Sequence, residues 1–386
     1  MTPAARTQAA IELLDLIIAA ARDAGAAADV LIARYFAERR YAGSKDRRAV
    51  RTLVYNAIRL CGERPESGRA AMLLLADRDP EVAATFDGTR HGPPTITPGE
   101  PLAEAGIAPA WLRDALEASD IAEEEQAAQV GRAPLDVRIN RLRPAGDLPD
   151  GEAIAGLPDG LRLPAGTNMD DFAGRIEVQD AGSQFVTLAM NAQPGMTVVD
   201  LCAGGGGKTL ALASAMGNEG RIVACDVDRA RLSKLPPRAE RAGVTIAEIR
   251  LLDPGREVAI LADLVDGADV VLVDAPCSGT GTWRRNPEAR WRLSPARLER
   301  FATTQAHVLD IGAALVRPGG ALTYVVCSLL DAEGAGQVDA FLARHPGWTA
   351  EPPSLPAGRQ HGAGLRLTPH HDGTDGFFVA RLIRPC

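Results

Sequence analysis

Lysine is nearly missing from this 386-residue chain. Of 42 basic residues only three are lysines, Lys45, Lys208 and Lys234, and the rest are arginines. A chain-wide compositional bias accounts for most of that imbalance. It also draws attention to the one lysine inside a glycine-rich loop, Lys208. No uninterrupted apolar run approaches the roughly 18 residues of a membrane-crossing helix, so none is expected. The apolar stretch at residues 11–21 contains Glu12 and Asp15 and does not read as a signal peptide. The six cysteines stand at 61, 202, 225, 277, 327 and 386 with no CxxC pair, which suggests neither a disulfide framework nor a zinc site. No metal is expected, and reduced thiols point to the cytoplasm. Nor is there an excess of basic charge. The net charge of −8 excludes a uniformly basic nucleic-acid coat but leaves room for a local basic patch. What is present, 46% apolar and 24% charged residues, is the balance of a globular protein, neither disordered nor collagen-like. The length suggests two to three domains, and a monomer is expected.

Residues 1–130 read as helical. Ile11, Leu14, Ile17 and Ile18 recur at helix spacing, as do Val50, Leu53, Val54, Ala57 and Ile58, and strand signals are absent. Arg34 to Arg64 is rich in bases, and residues 65–130 are rich in acids. Arg39, Arg40, Lys45, Arg47, Arg48 and Arg51 crowd around one Gly-Ser turn. A solvated helix face and a phosphate-binding surface both explain that crowding. Residues 131–182 change character. Leu135, Val137 and Ile139 alternate as a strand, Pro144, Gly146, Pro149 and Gly151 mark turns, and a second short strand spans 175–178. This is a small α/β module or an elaborated linker.

From residue 183 strand and helix alternate. Apolar strands are expected at 196–201, 221–225, 244–252, 269–273 and 321–326, the third and later ones of the buried type. Pro236 and Pro237 must break or kink a helix that starts at Arg229. A long helix over 295–316 should stop at Pro318-Gly319-Gly320. This alternation predicts a doubly wound, mostly parallel Rossmann-like sheet, which binds its ligand outside the carboxyl ends of the strands.

The first strand of that series ends in Asp200-Leu-Cys-Ala-Gly-Gly-Gly-Gly-Lys-Thr. A P-loop would need glycine where Cys202 stands, and a dinucleotide fingerprint would need its third glycine at Thr209. An S-adenosylmethionine site needs only close backbone approach, which glycines permit. Asp226, at the end of the second strand, would then accept from the ribose hydroxyls, and Asp253 would meet the adenine edge. By itself Asp226 reads equally well as a helix N-terminal carboxylate. The combination favours the cofactor.

Two later strands run into Asp274-Ala-Pro-Cys-Ser-Gly-Thr-Gly and into Cys327-Ser328. Both cysteines are thereby carried to the carboxyl edge of the sheet. A lone cysteine is usually a small buried hydrophobe, and Cys202 and Cys225 fit that description. Two at active-edge turns do not. Thiol chemistry beside S-adenosylmethionine suits methylation of a pyrimidine at C5. A thiolate adding to C6 turns C5 into a carbon nucleophile, and a carboxylic acid such as Asp274 assists near N3.

These motifs resemble the Sun-type, RsmB-like RNA cytosine-5 methyltransferases. The resemblance rests on Val178 to Gln184, Asp200 to Thr209, Asp274 to Gly281 with Arg284-Arg285-Asn-Pro-Glu and Trp291, Thr323 to Ser328, and Asp375 to Leu382. The N-terminal helices are similar to the family's NusB-like RNA-binding domain. The resemblance implies Cys327 as nucleophile, Cys277 in product release and Asp274 at the target base. It implies cofactor contacts from Cys202, Ala203, Gly204, Gly205, Gly206, Gly207, Lys208, Asp226, Asp253 and Asp274. It implies RNA, ribosomal RNA foremost, as the partner, with Arg39, Arg40, Arg47, Arg48, Arg284 and Arg285 as candidate contacts. Four positions depart from the family pattern: Gly206 where proline is usual, Val326 for threonine, Gly334 for asparagine and Asn286 for histidine. The competing readings are a non-catalytic RNA-binding assembly factor that keeps the fold, a DNA cytosine-5 methyltransferase with Cys277 as its nucleophile, and a P-loop ATPase.

Overall fold

Apolar residues at helical spacing fold into helices Pro3–Arg22, Ala28–Glu38, Ser44–Leu60 and Gly68–Arg78. The computed structural model describes residues 1–23, 25–143 and 146–386, so Pro144 of the expected turn cluster lies outside them. Thr2 and Ser67 cap the first and fourth helices by accepting from the backbone N–H of Ala5 and Ala70, which satisfies donors that a helix start leaves open. Leu13, Leu14, Ile17, Ile58 and Met72 are fully buried between these helices, each contributing about 1.5–3 kcal/mol of transfer free energy. Gly68 lets two helices touch, since a Cβ there would come within 2.2 Å of the Ile11 carbonyl oxygen.

The chain divides into two compact units, Met1–Arg132 with Thr282–Ser294, and Ala133–Gly281 with Pro295–Cys386. The assignment of 282–294 to the helical unit differs from the sequence reading, which placed this stretch in the 183–386 domain. The cause is burial. Trp291 lies in the helical core, Glu288 accepts from the Ala28 N–H at 3.0 Å, and Arg290 donates to the carbonyls of Ile58 and Cys61 at 2.7 and 2.8 Å. Those carbonyls lie at the end of helix Ser44–Leu60, where intrahelical donors run out, and the Ile58 carbonyl also accepts from the Cys61 N–H at 3.3 Å.

In the second unit residues 133–180 form an antiparallel sheet of β1 (Leu135–Ile139), β2 (Glu152–Ala153), β3 (Gly160–Leu163) and β4 (Ile176–Val178), in the order β2-β3-β1-β4. Its helical content is a single 3-10 turn, Asp170–Phe172, so it is a β module rather than the expected α/β one. It belongs to the same compact unit as the larger sheet. The buried Asp136 carboxylate accepts from Arg162 and from the Ala181 N–H, which opens the next helix.

The larger sheet contains β5 (Thr197–Asp200), β6 (Arg221–Asp226), β7 (Ala247–Leu251), β8 (Ala268–Asp274), β9 (Val316–Val326), β10 (Thr349–Glu351), β11 (Arg359–His361), β12 (Gly364–Leu367) and β13 (Phe377–Ile383). Its order is β11-β12-β13-β9-β8-β5-β6-β7, with β10 also paired to β13. Strands β9, β8, β5, β6 and β7 run parallel, and β13 is antiparallel to β9. Helices cover both faces. Val199, Val223, Val271 and Tyr324 point into one core, and Val198, Ile222, Val270 and Val325 into the other. That is why these strands read as unbroken apolar runs.

Two expectations need correction. β7 is not a buried strand: it pairs only with β6, and Glu248 and Ile249 on it are exposed. Glu248, Arg250, Arg221 and Asp263 form a charged network along it, a common protection for an open sheet edge. The long helix ends at Leu315, and β9 begins directly at Val316. Pro318-Gly319-Gly320 sits inside β9, at a register irregularity against β8. Pro236 and Pro237 lie in the first turn of helix Leu235–Ala242, where a missing N–H costs nothing. Among the described residues no helix is long and apolar enough to cross a membrane, and no group of three or more His, Cys, Asp or Glu could hold a metal.

Candidate active site

The order of strands reverses beside β5, and ligands of doubly wound sheets bind there. A cavity of about 720 Å³ opens at that edge, lined by Leu201, Cys202, Asp226, Val227, Leu252, Asp274, Pro276, Cys277, His307 and Cys327 among others. Its volume suits a cofactor-sized ligand.

The loop after β5 reaches the cavity at Leu201 and Cys202 and then turns through glycine. Gly206 takes φ +83° as the residue before helix Gly207–Ala215, and a Cβ there would lie 2.1 Å from Leu235 Cδ1. Proline, held near −65°, cannot occupy that position. The Gly204 N–H donates to Asp226 Oδ2 at 2.7 Å, and the Asp228 N–H donates to Asp226 Oδ1 at 2.8 Å. This buried carboxylate is thereby aimed at the cavity it lines. Asp226 and the apolar walls of Val227, Leu252, Pro276 and Ile311 fit a ribose and an adenine ring. Asp253 is exposed and is not part of the lining, although its neighbours Leu252 and Pro254 are. Of the expected loop contacts only Cys202 lines the cavity; Ala203, Gly204, Gly205, Gly206, Gly207 and Lys208 shape the turn without lining it.

Behind this loop Asp200 is fully buried and accepts from Thr209 Oγ1 at 2.6 Å. Burial pushes its carboxyl up to about 7. Lys208 Nζ donates to Asp274 Oδ2 at 2.7 Å. Burial opposes the lysine's charge, but the Asp274 carboxylate outweighs it and holds Lys208 above the ordinary lysine range.

The sulfurs of Cys277 and Cys327 lie 3.4 Å apart. Each follows the end of a parallel strand, β8 and β9, and the two strands are neighbours in register. The turn carrying Cys277 is fastened to the turn carrying Cys327, because the Gly281 N–H donates to the Cys327 carbonyl at 3.0 Å. The hydrogen bond to Cys327, together with burial, raises the Cys277 thiol well above its usual range. Either sulfur can be the donor in that contact. Burial also raises Cys202, and pushes Cys61 and Cys225 up to about 12, which keeps these three thiols protonated.

The sheet thus brings together Asp226, Asp274, Lys208, Cys277 and Cys327. It does not bring in Asp253. Arg284 is buried within the helical unit, where its carbonyl accepts from Arg59, so its side chain is no surface phosphate contact. Arg285 is half-buried. Arg39 is half-buried over the Tyr35 ring and lies 3.7 Å from the carboxylates of Glu12 and Glu38. Arg40, Lys45, Arg47, Arg48 and Arg51 are exposed. Three groups escaped the sequence reading: Glu257 and His307, paired at 3.2 Å on the cavity wall, and Glu333, fully buried behind the two cysteines. Nothing in their sequence surroundings marks them. At the departures, a Cβ on Gly334 would come within 3.0 Å of the Phe378 ring, so this glycine and that phenylalanine fit each other, and Val326 is fully buried.

The sequence profile described as 16S rRNA methyltransferase RsmB/F matches residues 187–383. A probable ribosomal RNA small subunit methyltransferase B from Synechocystis is 39% identical over 306 residues, which span 73% of this chain and 68% of the relative. The ribosomal RNA small subunit methyltransferase B of Thermus thermophilus is 40% identical over 227 residues, 58% of this chain and 54% of that one. In fold, the crystal structure of PH0851 superposes with a TM-score of 0.77 at 24% identity, covering 99% of both chains. NSun6 from Pyrococcus horikoshii superposes with 0.63 at 19%, covering 72% of this chain and 98% of that one. S-adenosylmethionine is accordingly the methyl donor. By sequence and by fold, the chain belongs to the RsmB/F family of RNA methyltransferases.

Proposed function

We propose that this protein methylates C5 of a cytosine in ribosomal RNA through a covalent bond between Cys327 and C6 of the base. One observation carries the reading: two thiols 3.4 Å apart, at the ends of adjacent parallel strands, open into the cavity that also holds Asp226 and Asp274. The names of its relatives, which specify the small ribosomal subunit's RNA, support the substrate class.

When bound, S-adenosylmethionine supplies a methyl group on a positively charged sulfur. Asp226 holds its ribose and the glycine loop leaves it room. The Cys327 thiolate adds to C6, and Asp274 delivers or stabilises the proton at N3, so that C5 becomes the nucleophile. Lys208 fixes Asp274 by their hydrogen bond. After methyl transfer the C5 proton must leave and the C6–S bond must break. Cys277 serves this stage. Once the Cys327 sulfur is bonded to carbon, Cys277 loses that partner, gives its proton to solvent and as a thiolate takes the C5 proton, while the C6–S bond breaks with its electron pair returning to the Cys327 sulfur.

The cofactor assignment has a direct test. S-adenosylmethionine at 100 times its Kd should stabilise the protein by about 2.7 kcal/mol through mass action, and ATP with magnesium should not. Asp226→Ala should weaken cofactor binding about 10- to 100-fold, because a charged acceptor for buried hydroxyls is lost. Calorimetric titration reads both. Stabilisation by ATP alone would return the glycine loop to a P-loop.

We assign RNA contact to the exposed basic turn of the helical unit, in the role of a NusB-like domain. Replacing Arg40, Arg47 and Arg48 together with Gln should weaken RNA binding uniformly across sequences. It should flatten the plot of log K against log salt by about 0.7–0.9 for each phosphate that is no longer neutralised. An unchanged slope makes the turn a solvated helix face. The overall activity is tested by bisulfite sequencing of ribosomal RNA from cells with and without the gene; an unchanged cytosine pattern refutes it.

A further inference from the structure

Behind the two cysteines lies a carboxylate to which the chemistry above gives no role. Glu333 is fully buried, six residues after Cys327, in the turn between β9 and helix Ala335–Arg344. Its Oε1 accepts from the Ser278 N–H at 2.8 Å and from Gln305 Nε2 at 3.1 Å. Its Oε2 accepts from the Ser328 hydroxyl at 2.6 Å and from the Ser278 hydroxyl. Ser278 directly follows Cys277, and Ser328 directly follows Cys327. The two hydroxyls also lie 3.2 Å from each other. Gln305, on the long helix Pro295–Leu315, donates to the carbonyl of Pro276, which directly precedes Cys277, at 3.0 Å. The Glu333 backbone is held in turn, since Tyr324 Oη donates to its carbonyl at 2.6 Å.

We propose that Glu333 is a positioning residue that ties the two cysteine turns together through Ser278 and Ser328, and so sets the spacing of the two thiols. The turns leave different strands and are already joined by the backbone bond from the Gly281 N–H to the Cys327 carbonyl. The buried carboxylate adds bonds from four donors, drawn from both turns and from the helix behind them, beside the residues that carry the sulfurs. A buried acceptor is costly to leave unsatisfied, so the four bonds are held together as a set. The proposal concerns geometry, and rests on the two-thiol reading above only for its catalytic consequence.

Glutamine can replace every bond of this set. Its amide oxygen would accept from the Ser278 N–H and Gln305, while its NH2 would donate to the two hydroxyls, which can turn to accept. Alanine can replace none. The test is therefore a thiol-pair probe that needs no methyltransferase activity. Phenylarsine oxide, whose arsenic bonds two sulfurs at once, should bind the wild-type protein and E333Q with similar affinity. E333A, and the double variant Ser278→Ala with Ser328→Ala, should bind it at least tenfold more weakly. Cys327→Ser marks the level of no chelation, and calorimetry with S-adenosylhomocysteine reports that the cofactor half of the unit is intact in each variant. Methyl transfer by E333Q should exceed that by E333A at least tenfold. Wild-type-like chelation in E333A or in the double serine variant overturns the proposal. So does a loss in E333Q equal to that in E333A, or a wild-type protein that takes up no arsenical. If chelation follows the expected order while no variant and no wild type methylates RNA, the positioning role stands and the proposed activity falls.

Discussion

Cys277→Ala is expected to accumulate as a protein–RNA adduct that survives denaturant, and the double variant lacking Cys327 as well is expected to show none. The asymmetry follows from the pair's geometry. The two sulfurs lie 3.4 Å apart, and that contact together with burial disfavours a thiolate at Cys277. With Cys327 as the proposed attacking sulfur, removing Cys277 leaves that first step available. What is lost is the group that helps the C5 proton and the sulfur depart, so the covalent species persists. Cys327→Ala removes the step itself and should lower methyl transfer by at least about 10⁴-fold, the scale seen when a covalent nucleophile is deleted, with cofactor affinity unchanged. Gel mobility after denaturation, with labelled RNA and the single and double variants side by side, reads the outcome. A DNA-type mechanism, with Cys277 as nucleophile, demands the reverse: an adduct in Cys327→Ala and none in Cys277→Ala.

The second large effect falls on Asp274. Its partner Lys208 is 11% exposed at the side chain, and Asp274 is 30% exposed. Asp274→Ala leaves an ammonium group nearly buried without its counter-charge. The stability loss should be about 2–3 kcal/mol, below the 3–5 kcal/mol of a fully buried pair because water reaches the carboxylate side. Methyl transfer should fall at least about 10²-fold, since the group proposed to deliver or stabilise the proton at N3 is gone. Combining Lys208→Met with Asp274→Ala should restore most of the stability and none of the activity, because the stranded charge is gone and the carboxyl is still missing. Urea melts and single-turnover methylation separate the two effects. The pH dependence has a definite sign. Lys208 binds its proton more tightly in the folded state, so the pair's stabilisation is present throughout neutral pH and disappears only as pH rises through the elevated lysine value. Recovery of activity in the double variant would show that Asp274 acts only by neutralising Lys208.

Much of the site was legible in the sequence because its parts sit at ends of elements that local pattern defines. An apolar strand followed by Asp226, by Asp274-Ala-Pro-Cys277 or by Cys327-Ser328 places each side chain at one edge of a parallel sheet, whatever the loops do. Residues whose role depends on distant partners were not legible in that way. Glu333 looks like any acid in a polar turn, and only folding brings Ser278 and Gln305 to it. Asp253 shows the opposite failure, since a position just past a strand does not settle which way the side chain turns. Arg284 stands in a basic, specific motif and is nevertheless buried, because the stretch around it supplies a tryptophan and an arginine that complete the helical core.

The sequence by itself determined the parallel sheet and the pair of cysteines at its carboxyl edge, because periodicity and strand-end position are local properties of the chain. The tertiary structure alone decided the distance between the thiols, the membership of 282–294 in the helical unit and the exposure of β7. Each of these depends on a partner far away in sequence, and burial, counter-charge and edge position exist only once those partners are packed.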